Sequence, residues 1–340
     1  MVKYIIKRLG LSVLILLGVS LILYILVRMM PTSYIDNLIA QMNQGGATIS
    51  QETIDAMYKS FGLTQIPADA NFFEQIRIIV SGYFDWLVSV CKLDFGYCFT
   101  IPGQKVVDQI VENMWLSFAI AAIATVFEFL IAIPLGITAA RHQYSFRDYL
   151  VTILVMIGIS LPSFFFGQML QYIFAGQLGW FPMATGQDAS IDYANVWEAL
   201  IDYARHWFLP ILTVIILSIG ARMRMTRTNM LEVLNSDYIR TARAKGLKER
   251  VVIYKHAFRN TMIPLVTSLA GLLPSLFSGA IITEQVFNLP GIGNIALDAM
   301  NRGDIPFIMG YNMFLALLSV IGVLLADLMY GIVDPRVKLE

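Results

Sequence analysis

The chain has 340 residues, of which 57% are hydrophobic and only 14% charged, with zero net charge and a mean hydropathy of +0.66. A soluble domain carries about 25% charged residues, so this much apolar surface has to use the bilayer as its solvent. The balance excludes a soluble enzyme and a nucleic-acid-binding protein. It predicts an all-α integral membrane protein, because helices satisfy their own backbone in lipid.

Six segments are long and apolar enough to cross about 30 Å of hydrocarbon at about 1.5 Å per residue. The first, 9–30, follows Lys3, Lys7 and Arg8. Its apolar run exceeds that of a signal peptide and no small-x-small cleavage pattern follows, so it reads as an uncleaved helix. Residues 31–113 then form an extracytoplasmic insert. A helix is expected at 51–61 behind Ser50 as N-cap, after the pair Gly45 and Gly46, and an amphipathic stretch runs over 72–90. Cys91 and Cys98, the only two cysteines, lie in this insert. An oxidising compartment permits a disulfide between them; two unpaired thiols packed near the membrane surface are the alternative. Two cysteines do not make a structural zinc site by themselves.

The core, 114–340, holds the other five spans at 114–140, 149–175, 207–225, 263–283 and 311–333. The fourth is the least regular, because Arg222 and Arg224 crowd its inner end. Pro134, Pro162, Pro210, Pro264 and Pro274 lie in or at the ends of spans. Gly158 with Pro162, and Gly271 with Pro274, read either as flexible points or as static kinks. With the N-terminus inside, seventeen Lys and Arg fall on the cytoplasmic side and seven outside, which places both termini in the cytoplasm.

Chemistry is sparse. The chain has no G-x-x-x-x-G-K-[ST] loop, no H-E-x-x-H and no Cys/His cluster, so no catalytic residue, metal site or cofactor of its own is expected. Two carboxylates fall inside spans, Glu128 and Asp327, and read as proton relays or as structural partners. Glu284 stands at the outer end of the fifth span, which carries no charge over 263–283. That poverty argues against an ion-coupled secondary transporter. A membrane sensor or scaffold without substrate flux is the other rival.

Ten Lys and Arg crowd between Arg222 and Arg259, around a loop at about 226–262. Asp237 can cap a short helix there that Gly246 can end. Ala242, Ala244 and Gly246 let a second surface come close, with Arg240, Arg243 and Lys245 flanking the contact. This order reads as a docking surface for a cytoplasmic partner; lipid headgroup binding is the competing reading.

The stretch 237–264, DYIRTARAKGLKERVVIYKHAFRNTMIP, is similar to the cytoplasmic coupling loop of ABC-importer permeases. It most resembles the dipeptide/oligopeptide/nickel branch and its first, B-type permease. Arg240-Thr241-Ala242 and Gly246 stand where the general importer pattern has Glu-Ala-Ala and its glycine, and His256-Ala257-Phe258-Arg259 stands where Ile-x-Leu-Pro would be. The resemblance extends to the opening helix ending at Pro31, FGL at 61–63, LDFGYCF at 93–99, TEQVFNLPGIG at 283–293 and DLMYGIVDPRVK at 327–338. Cys98 replaces a usual small polar residue of that branch.

The resemblance implies a six-helix polytopic permease, type I importer-like, in a bacterial or archaeal cytoplasmic membrane. It implies a second homologous permease, two cytoplasmic ATPase subunits or domains that bind ATP and Mg, and an extracytoplasmic substrate-binding protein. It makes Asp237, Tyr238, Arg240, Thr241, Ala242, Arg243, Ala244, Lys245 and Gly246 the ATPase contact. Peptide is the expected substrate, with oligosaccharide, nickel chelate and glutathione as alternatives.

Overall fold

Helix α1 (Val2–Arg28) opens the chain, followed by α2 (Phe72–Cys91), α3 (Val106–Arg141), α4 (Phe146–Ser160) and α5 (Ser163–Leu170), which runs on as a π-helical stretch, Gln171–Gln177. Then come α6 (Val196–Leu234), α7 (Asp237–Ala244), α8 (Glu249–Val251) with a second π-helical stretch, Val252–Ala257, and α9 (Phe258–Ser268). The short helices α10 (Leu272–Phe277), α11 (Ile281–Val286) and α12 (Ile292–Arg302) precede the last, α13 (Ile305–Val333). The computed structural model describes residues 2–28, 71–101, 103–183, 193, 195–268 and 271–333. The helix expected at 51–61, its Ser50 cap, Gly45 and Gly46, and the closing Asp334-Pro335-Arg336 lie outside the described residues. Among the described residues there is no strand, only an isolated bridge between Tyr97 and Lys105.

The chain forms two compact units, Met1–Trp115 with Ile295–Val320, and Leu116–Asn294 with Ile321–Leu339. In the first, α1 packs on α2, whose bounds match the amphipathic stretch read at 72–90. Ser20 and Tyr83 share a hydrogen bond of 2.8 Å, and the Tyr24 ring lies 5.6 Å from Tyr83 and 6.0 Å from Trp86. A buried hydroxyl in an apolar helix therefore has its partner. Beyond α2 the chain folds back on itself: Cys98 N–H donates to the Gln104 carbonyl (2.9 Å) and Val106 N–H to that of Gly96 (3.0 Å). Asp304 holds this turn, accepting from the Thr100 amide (2.9 Å) and hydroxyl (2.8 Å). Its other oxygen accepts from Phe307 N–H (3.2 Å), which caps α13. Cys91 and Cys98 are not bonded to each other; Cys91 is exposed and Cys98 buried.

In the second unit, Ser145 caps α4 by accepting from Asp148 N–H. The helix ends at Leu161, whose ψ of 134° is what the following Pro162 demands, and the chain bends by 100° into α5. Gly220 of α6 faces Val155 and Ile159 of α4 so closely that a Cβ would overlap them, and a Cβ on Gly158 would sit 2.9 Å from the Ile216 carbonyl. Small residues thus bring α4 and α6 together, as expected where lipid offers no hydrophobic drive. Gly158 acts as a packing contact. Asp148, buried, receives two hydrogen bonds of 2.8 Å each from Arg227 of α6.

Among the described residues four helices meet the length and apolarity of a membrane span: Lys7–Leu26 within α1, α3, α6, and Ile305–Met329 within α13. The bent pair α4–α5 makes a fifth, broken one. The irregular fourth segment is helical throughout, with Arg222 engaged by Glu128. The span expected at 263–283 is corrected: within it the helix α10 ends at Phe277, and three non-helical residues separate it from α11. Gly271 flanks α10 on one side, and Gly279, at φ +70°, on the other. Gly279 breaks the helix while leaving the segment's apolar average intact.

Candidate functional site

Two places in the second unit gather chemistry: the loop helix α7 and a cavity. At α7, Ser236 rather than Asp237 occupies the N-cap position. The helix ends as the sequence suggests. Gly246 adopts φ +73°, its N–H donates to the Arg243 carbonyl (2.9 Å), and Leu247 N–H reaches that of Ala242 (3.4 Å). This paired closure needs a left-handed residue, which glycine supplies without strain.

The helix has two faces. Ile239 (0% exposed) and Ala242 (7%) turn inward and join Ile137 and Ala140 of α3, Met230 of α6, and Val252, Ile253 and Ala257. Asp237, Tyr238, Arg240, Thr241, Arg243, Ala244, Lys245 and Gly246 remain exposed. Of the nine residues read as the contact, Ala242 is therefore corrected to the inner face. Its small size lets α7 seat on the chain's own core. Ile239, three residues before it, is the partner the sequence reading missed; the i, i+3 apolar spacing was its signal.

Polar bonds brace the exposed face. Arg243 donates to Glu249 at 2.9 and 3.3 Å, and these bonds hold the Glu249 carboxyl below the usual carboxylate range. Asn260 donates to the Tyr238 hydroxyl at 2.9 Å, and Thr241 to the Asp237 carbonyl at 2.9 Å. The structure thus joins the two stretches of the motif, 237–246 and 256–260, through the Asn260–Tyr238 bond.

The cavity has a volume of about 390 Å³. Ser117, Thr125, Glu128, Ser218, Arg222, Ser275 and Glu284 contribute its polar lining, with Ile120, Val214, Met225 and Leu272 among the apolar residues. Glu128, 6% exposed, accepts from Arg222 Nε at 3.0 Å. The Arg222 guanidinium also lies 5.0 Å over the Phe129 ring, a cation–π contact. Glu128 therefore pairs with a neighbouring helix, and its partner is Arg222, one of the two arginines that crowd the inner end of the fourth segment. Asp327, the second candidate, is half-buried in α13 and does not line the cavity.

Glu284, 2% exposed, organises the segment TEQVFNLPGIG. It accepts from the Ser117 hydroxyl (2.7 Å) and from the amides of Ala280 (3.2 Å) and Asn294 (2.9 Å). Ser117 in turn accepts from Ile292 N–H at 2.9 Å. A Cβ on Gly291 would come 2.5 Å from this carboxylate, so only glycine fits. The run of glycines after a carboxylate was the available signal, yet the Ser117 partner lies 167 positions away. Among the described residues no cluster of His, Cys, Asp and Glu is arranged to hold a metal ion.

Comparison with known proteins adds to this geometry. Residues 132–339 match the family described as binding-protein-dependent transport system inner membrane component, and residues 1–121 match the N-terminal model of such membrane components. The chain is 33% identical to the oligopeptide transport system permease protein AppB of Bacillus subtilis (strain 168), over 99% of this chain and 100% of that protein. It is 31% identical to the dipeptide transport system permease protein DppB of the same organism, over 100% and 99%. A solved chain of the MetNI methionine ABC transporter aligns with a TM-score of 0.48 at 16% identity, covering 67% of this chain and 97% of that one.

Proposed function

The chain belongs to the family of binding-protein-dependent transport system inner membrane components, and on that footing we propose that it is one of two permeases lining the path of an ATP-driven peptide importer. It is a multi-pass membrane protein of the transport-permease class. In this reading both termini face the cytoplasm of a bacterium or archaeon, an external binding protein delivers dipeptides or oligopeptides, and ATP is hydrolysed by separate ATPase subunits. The full-length likeness to permeases named for oligopeptide and dipeptide transport supports peptide as the substrate.

The two-faced helix α7 carries the reading. Its inner face is fixed to α3 and α6 through Ile239 and Ala242, while its outer face presents Asp237, Tyr238, Arg240, Thr241, Arg243, Ala244 and Lys245. A partner that grips the outer face can move the ends of two membrane helices without unfolding anything between. Closure of the ATPase pair on ATP supplies that pull, and its release on hydrolysis lets the path reset.

The test is uncoupling by bulk. Ala244→Trp places an indole on the outer face with no change of backbone, and Gly246→Trp does so at the helix end. Both variants should remain folded and inserted, and lose peptide uptake by about tenfold or more while ATPase activity becomes insensitive to substrate. Gly246→Ala adds only left-handed strain, about 1 kcal/mol, and should retain most uptake. Wild-type uptake in both Trp variants would refute the docking role.

A further inference from the structure

We propose that the Glu128–Arg222 pair recognises the charged ends of the passing peptide, with the ammonium at Glu128 and the carboxylate at Arg222. The assignment rests on the peptide reading above and adds a substrate contact within this chain. It follows from a contrast between two ion pairs in the same unit. Arg227 and Asp148 are closed on each other, Nε to Oδ1 and Nη2 to Oδ2, both at 2.8 Å, and neither lines the cavity. Arg222 and Glu128 meet through a single bond, Nε to Oε1, and both line it. The two terminal nitrogens of Arg222 and the second oxygen of Glu128 keep hydrogen-bonding capacity that no described residue uses.

The surroundings fit such a ligand. Among the described residues Arg222 is the only cation on the cavity wall, and Glu284, the other carboxylate there, is already saturated by Ser117 and two amides. Ser218 donates its proton to the Val214 carbonyl and Ser275 to that of Leu272, both at 2.8 Å, so these hydroxyls have lone pairs left for a ligand's N–H groups. A volume of about 390 Å³ lies in the range of about 300–1,000 Å³ usual for small-ligand pockets. A zwitterion with a polar backbone and small or apolar side chains matches this wall. A neutral sugar would bring no charged group to the spare nitrogens of Arg222 and the second oxygen of Glu128.

The experiment measures equilibrium binding of radiolabelled Ala-Ala, N-acetyl-Ala-Ala and Ala-Ala amide to the complete importer in nanodiscs, without the external binding protein. Uptake of Ala-Ala is measured in parallel by the same complex in proteoliposomes with that protein present. The wild-type complex should bind Ala-Ala about tenfold more tightly than either blocked form, the worth of one charge-assisted hydrogen bond. Glu128→Gln should erase the penalty for acetylation and keep that for amidation; Arg222→Gln should do the reverse. If a single variant fails to assemble, Glu128→Gln with Arg222→Gln leaves no unmatched charge and should bind all three peptides alike. Terminus dependence that survives in the double variant, or a wild-type complex that binds the three alike or none of them, overturns the assignment. Uptake separates this failure from that of the parent reading. Ala-Ala transport without the binding pattern removes only the role of the pair, whereas a complex that moves no peptide removes both.

Discussion

Asp148 and Cys98 show how far burial alone changes what a side chain does. Asp148 stays useful because two arginine nitrogens answer it; Cys98 has no such partner. Burial, with the Asp304 charge added, pushes the Cys98 thiol up to about 12. The thiolate is the reactive form, so at pH 8 only about one Cys98 in ten thousand is reactive. Cys91, seven positions earlier, is exposed. In the folded protein N-ethylmaleimide at pH 8 should therefore modify Cys91 to completion before Cys98 is detected. Cys98 modification should rise about tenfold per pH unit toward 11, since its thiolate fraction does. Peptide mass spectrometry reads both. Equal labelling, or a Cys91–Cys98 linked peptide in an unreduced digest, would contradict this arrangement.

At the scale of elements, Asp304 closes a loop onto a helix. It is fully buried, and it answers three donors from two places 204 and 3 positions away. Asp304→Ala leaves those donors without their acceptor and should cost about 3 kcal/mol, seen as a lower unfolding temperature in detergent. Asp304→Asn keeps one oxygen and should fall between. An unchanged unfolding temperature in the Ala variant would remove the clamp. The same distances explain what the sequence could and could not disclose. Helix α2 was legible because its amphipathic period is local, and the end of α7 was legible because Gly246 needs only its own neighbours. The inward turn of Ala242 was legible in principle, from Ile239 three positions before it, but its small side chain suits an outer contact equally well. Glu284 with Ser117, Arg222 with Glu128, and Asp304 with Thr100 were not legible. Each joins residues about 90 to 200 positions apart, and no local pattern encodes which helix will lie beside which. The segment 263–283 was misread for the opposite reason: hydropathy averages over the Gly279 break that decides its geometry.

For the whole molecule, the bend of 100° between α4 and α5 poses a choice. Such a pair either crosses the membrane as a broken span or dips in and returns. The cations decide it. If the pair crosses, and the segment 263–283 crosses in pieces, six crossings leave seventeen Lys and Arg inside and seven outside. If the pair returns, every later segment inverts, and the count becomes seven inside and seventeen outside. The second arrangement would place the ten cations between Arg222 and Arg259 on the far side, against the positive-inside bias. The proposed topology therefore has the broken pair crossing, with α7 on the side where ATP is available. Alkaline phosphatase fused after Gly179 or after Asp298 should be active, because the enzyme folds only outside, and the fusion after Lys248 should be inactive while a fluorescent protein there is bright. Inactive phosphatase at Gly179 together with active phosphatase at Lys248 would mean a re-entrant pair. That result would move α7 out of reach of any ATPase and take the coupling proposal with it.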